Sequence, residues 1–322
     1  MPIGDMLREK LSPRFVSDLF ILLCLALLSS CGFRAPRIGD YRYDSFEPLP
    51  FNQSVDLLES IKQSTEHLQN VRIFTQTTLR DGLFSQNVDQ VVVIDRPNKM
   101  RMETQISGTG QLVELTLLRG NEVEIFNQKE NKIAKGIYSA QAAQTLFGAP
   151  LPPEDIMLLL VGRLSPRITA SALANPQVKT EKNRHDTFLV ETNLEQGLEL
   201  VSLFKQIKKD GISYPLLSNL IIRSQDTGKE LLVGNYDYRL WKEYPLNTVG
   251  AQDDEEEVGF YPLTITINRA SDGTTATLRF ISVIVNKAIS NPDKVFFLNP
   301  SASTEIVPLN FDGMAEVMHL AE

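Results

Sequence analysis

The feature that most constrains this chain is a succession of short alternating stretches separated only by turns. In "KMRMETQIS" (99–107), Met100, Met102 and Thr104 face one way and Lys99, Arg101 and Glu103 the other. A period of two is that of a half-buried strand. "VRIFTQTTLR" (71–80) leads through Asp81-Gly82 into "VDQVVVIDRP" (88–97), and "GQLVELTLLRG" (110–120) turns at Arg119-Gly120-Asn121 into "NEVEIFNQ" (121–128). "KIAKGIYS" (132–139) follows. From about residue 187 the pattern resumes in "TFLVETN", "GLELVSLFKQ", "YPLLSNLIIRSQD", "KELLVGNYDYRLW", "GFYPLTITINRA" and "TATLRFISVIVNKA", with turns at Thr227-Gly228-Lys229 and Ser271-Asp272-Gly273. Connections this short permit only antiparallel neighbours. An open sheet of such length must curl, split or close.

Three helical stretches interrupt the pattern. Leu58, Ile61, Thr65 and Leu68 recur at helical spacing after Ser54, which can serve as N-cap. "SAQAAQTLFG" (139–148) opens on a capping Ser139 and stops at Gly148, and "PPEDIMLLLVGRL" (152–164) has prolines and acids suited to a first turn. The expected fold is therefore α+β: an incomplete antiparallel β-barrel, or curved sheet, with a helical lid over its apolar inner face. That face is either a packed core or a cavity. Residues 251–257, "AQDDEEE", read as a solvated loop, and the tail "VFFLNPSASTEIVPLN" as irregular.

The N-terminus has a different organisation. Arg8, Lys10 and Arg14 precede an apolar run from about Leu19 to Leu28, followed by Ser29, Ser30, Cys31 and Gly32. The run is shorter than the roughly 20 residues that span a bilayer, and the layout is that of a signal peptide. Leu28-Ser29-Ser30-Cys31 resembles the bacterial lipobox, which implies cleavage before Cys31 and acylation of that residue. More than one acyl chain anchors a protein stably. The expected division is a signal peptide over 1–30, a lipidated tether over 31–53 and a single domain over 54–322. The tether is expected from Pro36, Pro48 and Pro50 in a stretch of little periodicity. Gly32 after the cysteine favours the outer membrane, periplasmic face, by analogy with enteric sorting.

Chemistry is sparse. His67, His185 and His319 are scattered, and no metal spacing, nucleophile elbow or phosphate loop occurs. No cofactor, metal or catalytic residue is expected, and an enzyme is disfavoured. The net charge of −8 and the absence of a basic cluster set nucleic acid aside.

Two segments carry a family resemblance. "VVVIDRPNKMRMET", with Asp95-Arg96-Pro97-Asn98-Lys99-Met100-Arg101, resembles the strand–turn–strand of the Lol periplasmic lipoprotein carriers. "LFGAPLPPEDIMLLLVGRL" resembles the helical segment of the outer-membrane Lol receptor, itself a lipoprotein. Together the likeness covers about residues 52–165. It implies a LolA/LolB-like half-barrel whose cavity holds lipid or the acyl chains of lipoproteins, for transfer or insertion. It places Arg96 and Pro97 where the carriers tie barrel to lid; alternatively Arg96 simply bonds carbonyls of its own loop. Met100, Met102, Leu115, Ile125, Ile265, Ile267 and Phe280 are the expected cavity residues, and Leu83 and Phe84 the expected membrane-facing loop tip. The implied partners are the membrane, through the acyl chains on Cys31, then lipid or lipoprotein acyl chains, and a periplasmic protein. The competing function is a structural or assembly lipoprotein that uses the same fold as a platform for a protein partner.

Overall fold

The computed structural model describes residues 45–309, apart from 82–83, 148, 196, 210, 244–256 and 271–272. Cys31, the apolar run before it, Leu83 of the expected loop tip and most of the acidic run therefore lie outside the described residues.

The first meander runs through β2 (Asn70–Asp81), β3 (Phe84–Asp95), β4 (Lys99–Ile106), β5 (Leu112–Arg119), β6 (Glu122–Asn127) and β7 (Lys132–Ile137). The second runs through β8 (Val178–Glu181), β9 (Arg184–Leu194), β10 (Leu198–Lys209), β11 (Ile212–Ser224), β12 (Glu230–Glu243), β13 (Glu257–Arg269) and β14 (Thr275–Val285). β14 pairs antiparallel with β2 and fuses the two meanders. A short β1 (Phe46–Pro48) pairs with β8 at one edge, and β15 (Glu305–Pro308) pairs parallel with β7 at the other. Among the described residues this is one 15-stranded sheet, ordered β1, β8 to β14, β2 to β7, β15. It is curved, almost wholly antiparallel, and does not close on itself.

Three helices, Phe51–Glu66, Pro153–Leu159 and Pro166–Ala174, pack into the core of the inner face. α1 (Phe51–Glu66) buries Leu57, Leu58, Ile61 and Thr65. α2 (Ala140–Phe147) follows β7, and Ser139 Oγ accepts from the Ala142 amide at 3.1 Å, as expected of its cap. α3 (Pro153–Leu159) buries Ile156, Met157, Leu158 and Leu159. α4 (Pro166–Ala174) starts at Ser165, whose side chain accepts from the Ile168 amide. Its first-turn Arg167 pairs with Asp155 of α3. One core cluster joins Leu58 and Ile61 of α1, Met157 and Leu158 of α3, and the inner sheet residues Phe204, Leu217, Leu220 and Ile265.

Four readings of the sequence change. α1 begins at Phe51, and Ser54 is inside it, bonding back to the Leu49 and Pro50 carbonyls, so it is not the N-cap. Residues 46–48 and 51–53, expected as tether, form β1 and the first turn of α1. α4 was not anticipated, because nine residues with Pro166 at their start show little periodicity. The tail is not wholly irregular: α5 (Pro292–Val295) and β15 carry it across the outer face of the first meander. Arg101 donates to the Val295 carbonyl at 2.8 Å, and Lys99 and Arg119 lie over the rings of Phe296 and Phe297.

Candidate functional site

The inner wall of the first meander does not fill. Thr77 and Leu79 of β2, Val88 and Gln90 of β3, Met102 of β4 and Glu114 of β5 form one side of a cleft. Leu232 and Tyr236 of β12, Ile267 and Arg269 of β13, and Ala276 and Leu278 of β14 form another. α3 and the residues flanking it supply the remaining side, through Leu151, Ile156, Leu159 and Leu160. The cavity is about 190 Å³. An apolar cavity of about 150 Å³ already admits a benzene-sized guest. A separate recess of about 20 Å³ lies between Met100, Leu118, Val123, Tyr138 and Ile156.

Strand alternation explains which residues reach the cleft. Directly paired residues share a face. Met102 pairs with Val92 and Thr116, so those three look inward together. Leu115 pairs with Glu103 and Phe126 instead, on the outer face, where it is buried. Of the expected cavity residues, Met102 and Ile267 line the cleft and Met100 lines the smaller recess. Ile125, Ile265 and Phe280 belong to the packed core behind it. Phe84, at the β2–β3 turn, is 77% exposed.

Arg96 holds α3 and α1 to the sheet. It follows β3, and its Nη1 donates to the carbonyls of Thr65 and Leu68, each at 2.7 Å. Its Nη2 meets Glu154 Oε1 on the first turn of α3 at 2.8 Å. The guanidinium thus satisfies the end of α1 and pairs with α3 at once. The carbonyls it bonds are not those of its own loop, as the simpler reading had it, but those of Thr65 and Leu68 at the end of α1, and its third acceptor is the Glu154 side chain. Pro97 sits in the turn that presents it. On the opposite flank, Arg163 reaches the Ser64 and Phe260 carbonyls and lies over the Tyr261 ring. Tyr238 donates to the Gly162 carbonyl at 3.2 Å.

Glu114 is the residue that sequence reasoning missed. Its side chain lines the cleft, and the residue is 5% exposed. Burial pushes its carboxyl up to about 8, a hydrogen bond from Thr116 offsetting part of the effect. Burial also holds Tyr236 and Tyr238 far above the ordinary tyrosine value, so both remain neutral phenols. The available signal was a lone acid among aliphatic residues in "LVELTLL".

Among the described residues, no cluster of three or more His, Cys, Asp or Glu side chains could hold a metal. None of their helices is long and apolar enough to cross a membrane.

No family model matches the chain, and no curated protein does. Several solved structures are similar to it. A domain described as an outer-membrane lipoprotein-sorting protein, from Vibrio parahaemolyticus, is 8% identical with a TM-score of 0.46, covering 76% of this chain and 96% of its own. A LolA superfamily protein from Nitrosomonas europaea is 12% identical with a TM-score of 0.37, over 76% and 97%. A DUF1329 family protein from Desulfovibrio piger is 12% identical with a TM-score of 0.38, over 77% and 97%.

Proposed function

We propose that this protein is a lipid-anchored carrier or receptor whose cleft takes up lipid or the acyl chains of lipoproteins, on the periplasmic face of a bacterial outer membrane. The observation that carries the reading is the unfilled, largely aliphatic cleft between α3 and two walls of the sheet. A folded protein has little reason to leave such a space, because each buried methylene that fills one contributes about 0.8 kcal/mol. Acyl chains are the simplest ligand for it. Met102 adds an adaptable wall, which suits irregular chains.

In this reading α3 is a lid. It covers the cleft with Ile156, Leu159 and Leu160, and the Arg96–Glu154 pair fastens it to the β3–β4 turn. Cys31 carries the anchor, and Phe84 with Leu83 forms a tip that meets a membrane. The alternative, a platform for a protein partner, needs no cavity and leaves the cleft without a role.

Native mass spectrometry of residues 32–322, expressed without the anchor and followed by solvent extraction, tests the proposal. The expected result is a mass increment that disappears on extraction and is identified as lipid. An apo mass that persists after incubation with phospholipid and with acylated peptide would overturn it. Labelling with radioactive palmitate, in wild type and in Cys31→Ala, checks the anchor separately.

A further inference from the structure

The inner wall of the first meander is not apolar throughout. Thr75 pairs with Gln90, Gln90 with Thr104, Thr104 with Glu114, and Glu114 with Asn127. Five polar side chains therefore stand in register across β2 to β6, on the face that bears the cleft. Thr75, Thr104 and Glu114 are each at most 5% exposed. Thr77 adds a bond to Gln90 at 2.7 Å, and the Gln90 amide reaches Thr104 at 3.4 Å. On one side of this belt the wall returns to Val92, Met102, Thr116 and Ile125. On the other, towards the β2–β3 turn, stand Leu79 and Val88.

A purely hydrocarbon ligand does not call for such a belt, since buried polar groups cost free energy unless paired. Glu114 Oε1 accepts from Thr116 at 3.2 Å, and among the described residues its other oxygen has no protein partner. That oxygen belongs to a side chain lining the cleft.

We infer that Glu114 is a hydrogen-bond donor to the uncharged carbonyl junction, ester or amide, of an acyl ligand whose chain lies in the apolar part of the cleft. The inference rests on the acyl-binding reading of the cleft and adds the ligand's polar end to it. Donation requires the neutral carboxyl, and burial supplies that form at neutral pH. The other titratable or charged groups of the cleft are Tyr236 and Arg269. Tyr236 stays neutral. Arg269 is on β13, in another wall of the same cleft, and it is burial and the Thr116 hydrogen bond that set the Glu114 carboxyl. The neighbours paired with Glu114, Thr104 and Asn127, carry no charge.

The test compares a medium-chain monoacylglycerol with the alkylamine of matching chain, titrated by calorimetry from pH ~6 to ~10. The expected affinity for the monoacylglycerol is constant below about pH 8, where Glu114 remains protonated. Above that it falls and then levels off, by about five- to tenfold in all, because the ionised protein holds the chain without this hydrogen bond. Glu114→Gln, which keeps a donor but cannot ionise, is expected to bind at neutral pH within about twofold of wild type and to lose the pH dependence. Glu114→Leu is expected to lose about five- to tenfold, the value of one hydrogen bond. Monoacylglycerol binding unchanged in Glu114→Leu would overturn the inference, as would tighter binding of the amine as the pH rises. In both cases the chain is still bound, so the acyl-binding reading survives. Failure of every probe to bind wild type removes both.

Discussion

The two halves of the inner face are built from the same kind of strand and end in opposite states. Under β9, β10 and β11, the residues Phe188, Val190, Leu200, Phe204, Leu217 and Leu220 meet Leu57, Leu58 and Ile61 of α1 in a closed core. Between β2 to β5 and β12 to β14, the helical wall of the cleft is the short α3 with its flanking residues, and a cavity of about 190 Å³ stays open. The difference lies in the helices. α1 spans 16 residues with one continuous buried stripe, whereas α3 spans seven and is followed by the turn at Gly162. A longer third helix would fill the cleft. Hydrophobicity of the strands does not by itself decide between core and cavity; what is laid across them does.

The largest expected effect tests that contrast directly. Leu217→Ala, at a fully buried position, is expected to destabilise by roughly 2–5 kcal/mol, as cavity formation in a packed core does. Ile267→Ala enlarges a space that already exists, and is expected to cost about 1 kcal/mol. Urea unfolding of both variants measures the gap. Equal losses would mean that the cleft wall is as tightly packed as the core, and the comparison would fail.

The joint between the halves comes next. Gly162 has φ +69°, and a Cβ there would stand 2.3 Å from the Tyr238 hydroxyl. Gly162→Ala is expected to cost roughly 2–4 kcal/mol, from the left-handed backbone and the overlap together. Adding Tyr238→Phe removes the nearest atom and should recover part of that loss, although the ring carbon at 3.0 Å remains. No recovery in the double variant would assign the whole cost to the backbone.

Arg96 tests how the open half is kept covered. Arg96→Ala leaves the Thr65 and Leu68 carbonyls and Glu154 without this donor, and is expected to cost roughly 2–3 kcal/mol. Glu154→Gln breaks only the ion pair, whose carboxylate side is 29% exposed, and should cost less than about 1 kcal/mol. If α3 is a lid, the same change speeds the uptake of an acyl fluorophore in stopped-flow mixing. An unchanged uptake rate with normal stability would confine the pair to holding α1 and α3 in place.

Much of this architecture was legible in the sequence, for identifiable reasons. Alternation at Met100, Met102 and Thr104 and the turn at Arg119-Gly120-Asn121 report local physics, and β4 to β6 follow them closely. α4, β1 and β15 were not visible, because each is short and forms through contacts with distant segments. Leu115 shows a subtler failure. In "LVELTLL" the aliphatic residues occupy both faces of β5, and Leu115 and Leu117 are buried on the outer one. Alternation then no longer says which face is inner. The inward residue is the acid, Glu114, and its register with Thr104 and Gln90 is what reveals it.

That residue also gives the comparison a readout without any ligand. Among the described residues the filled half carries no comparable acid facing its core, so pH should act on the open half. The Glu114 carboxyl titrates at about 8 in the folded chain against 4.5 ordinarily. Below pH 4.5 both folded and unfolded states hold the proton, and the group costs nothing. Between 4.5 and about 8 the unfolded chain loses its proton while the folded chain keeps it, so stability declines as pH rises, by roughly 1 kcal/mol per unit. Above that window both forms are ionised and the cost levels off. Glu114→Gln removes this slope. At pH ~6 the variant is expected to be more stable than wild type by about 1–2 kcal/mol, and near pH ~4 to match it. Urea unfolding across that range measures the difference. A constant offset at every pH would show that Glu114 is solvated in the folded chain, and the open half would then be a wet groove rather than an apolar cleft.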